Sequence, residues 1–101
     1  MSESPLQLII HAADAASLAR ARSNAANFVA ARPKAEVEIV VNADAVAAAL
    51  EAPHTTDAYL RLCANTLEKK QLSAPATLAR VPAAVVYIAE RQRAGWAYMR
   101  A

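Results

Sequence analysis

Apolar positions along the chain fall into alternating runs, some with the two-residue period of a strand and others with the 3.6-residue period of a helix. Leu6 to His11, LQLIIH, is almost continuously apolar and predicts a first strand buried on both faces. Leu18, Ala21, Ala25, Phe28 and Val29 recur on one face of a helix that Asp14 or Ser17 can cap and Pro33 stops near Arg32. Arg20, Asn24, Asn27 and Ala31 fall on its polar face, where two asparagines are unusual because asparagine is a mediocre helix former. Glu36 to Asn42, EVEIVVN, opens with alternation and ends apolar, as a second strand. Ala43 to Glu51 predicts a short alanine-rich helix with Asn42 or Asp44 as cap, ended by Pro53 and followed by a polar loop, His54 to Asp57.

Tyr59 to Leu72, YLRLCANTLEKKQL, predicts a buried strand turning directly into a helix. Leu60 and Leu62 alternate with Tyr59, Arg61 and Cys63, and Asn65 and Thr66 offer side-chain oxygens to cap a helix running through Lys69 and Lys70. After a connection around Pro75, Leu78 to Val81 reads as a short fourth strand. Pro82 suits the first turn of a helix with an inward stripe of Val85, Ile88, Ala89 and Gln92. Gly95, the sole glycine, falls where a left-handed residue ends that helix. Trp96 to Arg100 alternates as a last strand, with Trp96 and Tyr98 on one face.

Strands alternating with helices predict an α/β fold: a mainly parallel sheet of four to five strands, helices on both faces and right-handed crossovers. At 101 residues, a single domain spanning 1–101 is expected. Almost half of the 56% hydrophobic content is alanine and aromatics are only 5%, so the core is modest and subunit contacts are expected to add to it. Eleven basic residues against nine acidic ones, with no basic run, argue against nucleic acid as a partner. No run is long enough to span a bilayer, and the start, MSESPLQLIIH, has neither a basic opening nor a signal-length apolar run. One cysteine excludes an internal disulfide and a multi-cysteine metal site and suits a reducing compartment. A cytoplasmic protein is the expectation.

In an open parallel sheet, ligands bind outside the carboxyl ends of the strands. Three predicted strands end there in His11, Asn42 and Cys63. Each has a plainer reading as well: a small core thiol, a histidine bonded to a carbonyl, an asparagine cap. A thiol at a strand-to-helix junction is favoured as thiolate by the helix dipole, and Lys69 or Lys70 would add to this if either reached back. A Cys63–His11 pair requires the fold to bring the two together. Trp96 and Tyr98 read as core or subunit interface, with interface favoured. There is no glycine-rich phosphate loop, GxSxG, HExxH or CxxC, and His11 and His54 lack metal-ligand spacing.

The segments LIIHA, SNAANFV, EVEIVVNADAV, LCANTLEKKQL and VPAAVVYIAERQRAGWAYMR together resemble the short DsrE/DsrF-like proteins of the sulfur-relay superfamily. The more specific pieces are Cys63 followed by Asn-Thr-Leu and the Gln92…Gly95-Trp96…Tyr98 ending. Two departures stand out: family members often have glycine after the second strand, where this chain has Asn42-Ala43, and a longer segment before the cysteine-bearing strand. The resemblance implies a three-layer α/β/α sandwich that assembles as a homo-oligomer (dimer, trimer or hexamer). It also implies a cysteine, here Cys63, that carries sulfur as a persulfide between a donor and an acceptor protein. On that reading His11, Asn42, Asn65, Thr66 and Asn24 line the pocket, and the chemistry calls for no metal and no organic cofactor. The rival expectation is a non-catalytic oligomeric module that binds a small ligand or protein through the same cleft, with Cys63 as a packing residue.

Overall fold

The computed structural model describes residues 4–101; the expectations for the first few residues fall partly on 1–3, outside the described residues. Five strands, β1 (Gln7–Ala12), β2 (Glu36–Val41), β3 (Leu60–Cys63), β4 (Ala79–Val81) and β5 (Ala97–Arg100), form one sheet in the order β4-β3-β2-β1-β5. Every neighbouring pair is parallel. The helices are α1 (Ala15–Ala31), α2 (Asp44–Ala49), α3 (Ala64–Lys69) and α4 (Ala84–Arg93). The architecture is a three-layer α/β/α fold, as the alternating pattern predicts.

Strand order determines which face each helix takes. The first three crossovers step one strand at a time in the same direction, so right-handedness places α1, α2 and α3 on one face. The fourth runs back from one edge to the other and places α4 on the opposite face. Side chains divide accordingly. Ile10, Ile39, Val41, Leu60 and Leu62 pack with Leu18, Ala21 and Ala25 of α1, Val46 of α2 and Leu67 of α3. On the other face Ile9, Val40 and Cys63 pack with Ala84 of α4 and with Trp96, flanked by Tyr87 and Ile88.

α1 begins with a reciprocal cap, in which Ser17 N–H donates to Asp14 Oδ1 at 2.7 Å and Asp14 N–H donates to Ser17 Oγ at 3.1 Å. Thus both expected cap residues take part. α4 ends at Gly95, φ +99°, with Trp96 N–H donating to Arg91 O and Gly95 N–H to Gln92 O. This paired closure needs a left-handed residue, which glycine adopts without strain.

The inward stripe of α4 differs from the expected one. Ala84, Tyr87, Ile88 and Arg91 face the sheet, while Val85 is 76% exposed and Ala89 and Gln92 are exposed. The cause is Glu38 on β2, whose side chain turns under α4 and is 5% exposed. It accepts hydrogen bonds from Arg91 Nε at 2.9 Å, Tyr87 Oη at 2.7 Å and Arg61 Nε at 3.1 Å. A carboxylate held this far from water requires such partners. Burial together with the Glu38 carboxylate pushes the Tyr87 hydroxyl up, and the same carboxylate raises Arg91. Arg91 also stacks 4.7 Å from the Trp96 ring and 4.9 Å from Tyr87. Trp96 is therefore an internal packing residue, contrary to the interface expectation, and Tyr98 alone of the pair remains 41% exposed.

Candidate functional site

β3 delivers its chain to α3 on one face and β4 delivers its chain to α4 on the other. The carboxyl ends of β3 and β4 are thus the point where successive crossovers part, the place at which open parallel sheets hold ligands. Cys63, paired in register with Val81, is the residue at that point.

Cys63 is both the last residue of β3 and the N-cap of α3. The expected capping by Asn65 and Thr66 does not occur. They lie inside the first turn of α3, and no side chain caps that helix. Instead both lie beside the sulfur, where the Ala84 N–H at the start of α4, the Thr66 hydroxyl and N–H, and the Asn65 N–H favour its anion. Ala83, the N-cap of α4, likewise has no side-chain cap bond, so both helices start without a side-chain cap around the sulfur. Burial pushes the Cys63 thiol up, and these donors outweigh it, leaving the thiol below its ordinary value. The side chain itself is 5% exposed, closed in by Ile9, Val40, Ala84 and Trp96.

The Thr66 hydroxyl is oriented from a second loop. The Ala43 N–H donates to Thr66 Oγ1 at 3.2 Å, which holds the Thr66 side chain beside the sulfur, where its hydroxyl lowers the thiol. Ala43 holds φ +49° and ψ −136°, close to a region that is essentially glycine's. This is the position after the second strand where the resemblance led to an expected glycine. Ala43 is also the N-cap of α2, without a side-chain cap bond, so neither Asn42 nor Asp44 caps that helix. Asp44 pairs with Lys70 Nζ at 2.8 Å, which ties that lysine to α2 and not to the thiol.

Asn42 is committed elsewhere. His11 Nε2–H donates to Asn42 Oδ1 at 3.0 Å. A carbonyl oxygen only accepts, so the neutral ring carries its proton on Nε2, and Nδ1 accepts the Tyr98 hydroxyl at 3.1 Å. Both ring nitrogens are therefore engaged, and neither bonds to Cys63; the Cys–His pair that the sequence left open does not form. His11, Asn42 and Tyr98, together with Ala84, Val85, Ile88 and Gln92, line a cleft of about 290 Å³. Its wall includes Ala84, whose N–H lies beside the sulfur.

The structure brings Cys63, Asn65 and Thr66 together, and His11 and Asn42 together in the adjoining cleft. It does not bring Asn24 to either: that residue stands exposed on α1, across the sheet from α4. Tyr98 and Gln92 were read as interface and helix stripe, but both line the cleft. Their place beside His11 depends on β5 pairing with β1, which nothing local signals. Among the described residues no group of three or more His, Cys, Asp and Glu side chains is placed to hold a metal ion, and no helix is long and apolar enough to cross a membrane.

No protein-family model matches the chain, and no curated protein matches it in sequence. Among solved structures it is similar to MTH1491, a protein of unknown function from Methanobacterium thermoautotrophicum, with 21% identity and a TM-score of 0.80 over 95% of this chain and 99% of that one. At that identity the likeness concerns the fold, which the two chains share over nearly their whole lengths.

Proposed function

We propose that this chain is a cytoplasmic, DsrE/DsrF-like sulfur carrier in which Cys63 bears a persulfide. The supporting observation is a sulfur at the point where the crossovers part, its thiol lowered by backbone amides of two helices and one hydroxyl beside it. These donors stabilise the anion that attacks. In the forward step the Cys63 thiolate bonds to the outer sulfur of a donor persulfide, R–S–SH. The donor S–S bond breaks and R–S⁻ leaves, forming Cys63–S–SH with no net oxidation. The reverse exchange, with an acceptor thiolate, passes the sulfur on. The same donors that hold the thiolate would hold the persulfide anion.

The carrier acts as a homo-oligomer in this reading. A parallel sheet is ordinarily covered on both faces, and on the second face here α4 is the only helix among the described residues. Val85, Val86 and Tyr98 are left exposed on and beside it. Sedimentation at micromolar concentration tests this, and a clean monomer contradicts it.

A second reading is favoured by the 5% exposure of Cys63. In it the cleft of His11, Asn42 and Tyr98 binds a small ligand or partner without thiol chemistry. Incubation with polysulfide followed by intact-mass measurement separates the two. The carrier gains one sulfur mass that a reductant removes and that Cys63→Ser abolishes. No adduct, or an adduct that survives Cys63→Ser, supports the binding module instead.

A further inference from the structure

A separate, larger cleft of about 470 Å³ runs along α1, between that helix and the chain leaving α2. It lies across the sheet from α4 and shares no lining residue with the cleft beside Cys63. Its floor is apolar, from Leu18, Ala19 and Ala48, and its polar lining includes Arg22, Glu51 and His54. A few polar groups over an apolar floor is the usual make-up of a small-molecule site.

At rest the polar groups are tied to one another. His54 Nδ1 accepts the Thr56 N–H at 3.1 Å, so the neutral ring carries its proton on Nε2 as a free donor. Asp57 Oδ2 accepts the His54 N–H at 3.0 Å, and Asp57 Oδ1 accepts Arg22 Nη2 at 3.3 Å. Both carboxylate oxygens are therefore engaged, yet the guanidinium uses one edge position only. Its Nε–H is buried and has no hydrogen-bond partner among the described residues. An orphaned buried donor costs stability, and more so on a charged group, so its retention calls for an acceptor.

We propose that this cleft binds a small aliphatic carboxylate. Its two oxygens take the Nε/Nη2 edge of Arg22 side-on, exchanging with Asp57 Oδ1 as the guanidinium end turns its sealed Nε–H into the cleft. His54 Nε2–H donates to the same group, and the aliphatic body lies on Leu18 and Ala48. A planar two-oxygen acceptor matches the half-used planar fork, which a single-point acceptor does not. Glu51 at the cleft rim distinguishes two sources of this chemistry, a simple fatty acid and an amino acid whose ammonium would meet that carboxylate. The site is independent of the thiol reading.

The test follows the Arg22 Nε–H and His54 ring signals by NMR during titration of the full chain with valerate, norvaline and pentylamine. Saturable shifts with valerate or norvaline are expected, and tighter binding of norvaline assigns the ammonium to Glu51. Ala19→Leu fills the cleft from an exposed helical position, and Arg22→Lys keeps the charge without the fork. Each is expected to weaken binding by about tenfold or more, which is about 1.4 kcal/mol. Failure of both carboxylates to saturate, shifts that persist unchanged in Ala19→Leu, or saturation by pentylamine alone overturns the proposal.

Discussion

Ala43→Gly is expected to stabilise the protein, although it removes a methyl group from a helix N-cap. Ala43 holds φ +49° and ψ −136°, a conformation that strains any residue with a Cβ by about 1–3 kcal/mol. Its side chain is exposed, so the methyl contributes little burial in return. Against the relief stands the greater freedom of glycine in the unfolded chain, about 0.4–1 kcal/mol. The difference is a net gain of about 0.5–2 kcal/mol. With a urea slope of about 1–1.5 kcal/mol/M for a chain of this size, the midpoint should rise by about 0.5–1.5 M with the slope unchanged. The substitution also relaxes the loop whose N–H holds Thr66 against Cys63. An unchanged or lowered midpoint refutes the claim that strain is stored there, and a changed slope indicates an effect on the denatured state instead.

Three further outcomes follow from the same geometry. Glu38→Ala leaves Arg61 and Arg91 facing each other without their carboxylate. Both arginines can reach water, so the loss should be about 2–3 kcal/mol in urea titration, below that of a sealed pair, and a loss under about 1 kcal/mol contradicts the role given to this network. The Cys63 thiol is lowered in the folded state, so its contribution is complete above the unfolded thiol value of about 8.5 and fades as pH falls through the folded value. The stability difference between wild type and Cys63→Ser should therefore grow as pH rises through that window and then level off, whereas a difference that shrinks reverses the sign. Tyr98→Phe removes the donor to His11 Nδ1 at a cost of about 0.5–1.5 kcal/mol. The ¹⁵N spectrum of His11 should keep the Nε2–H tautomer that Asn42 fixes while the Nδ1 resonance shifts with the lost donor, and an unchanged Nδ1 resonance shows that Tyr98 does not bond the ring.

The layered fold was legible because burial on both sheet faces writes long apolar runs into parallel strands, as in LQLII and EVEIVV. The end of α4 was legible because Gly95 is the sole glycine and its position demands a left-handed residue. The stripe of α4 was not. Glu38 looks like the solvent-facing member of an alternating strand, yet it turns under the helix and draws Arg91 and Tyr87 inward. Periodicity counts apolar residues, so a stripe built partly on an ion pair is read one position out of phase.

The site was legible in its residues more than in its bonds. The strand-end argument selected His11, Asn42 and Cys63, and all three lie at that edge. Local capping preference then assigned Asn42, Asn65 and Thr66 to helix ends, where the tertiary arrangement uses them otherwise. Asn42 orients His11, and Thr66 sets its hydroxyl beside the thiol. The His11–Asn42 bond spans two strands distant in sequence and no single segment carries a signal for it, whereas Thr66 stands three residues from Cys63 and its place beside the thiol was open to a local reading. Asn24 was selected through the family resemblance, and the crossover to α1 puts it on the wrong side of the sheet.

The account depends on the charge state of one sulfur, which the pH dependence of the ultraviolet thiolate absorbance measures directly when wild type is compared with Cys63→Ser. The predicted result is a Cys63 pKa below the ordinary thiol value of 9.0, moving upward when Thr66→Val removes the hydroxyl donor. A Cys63 pKa at or above that value, unmoved by Thr66→Val, contradicts it.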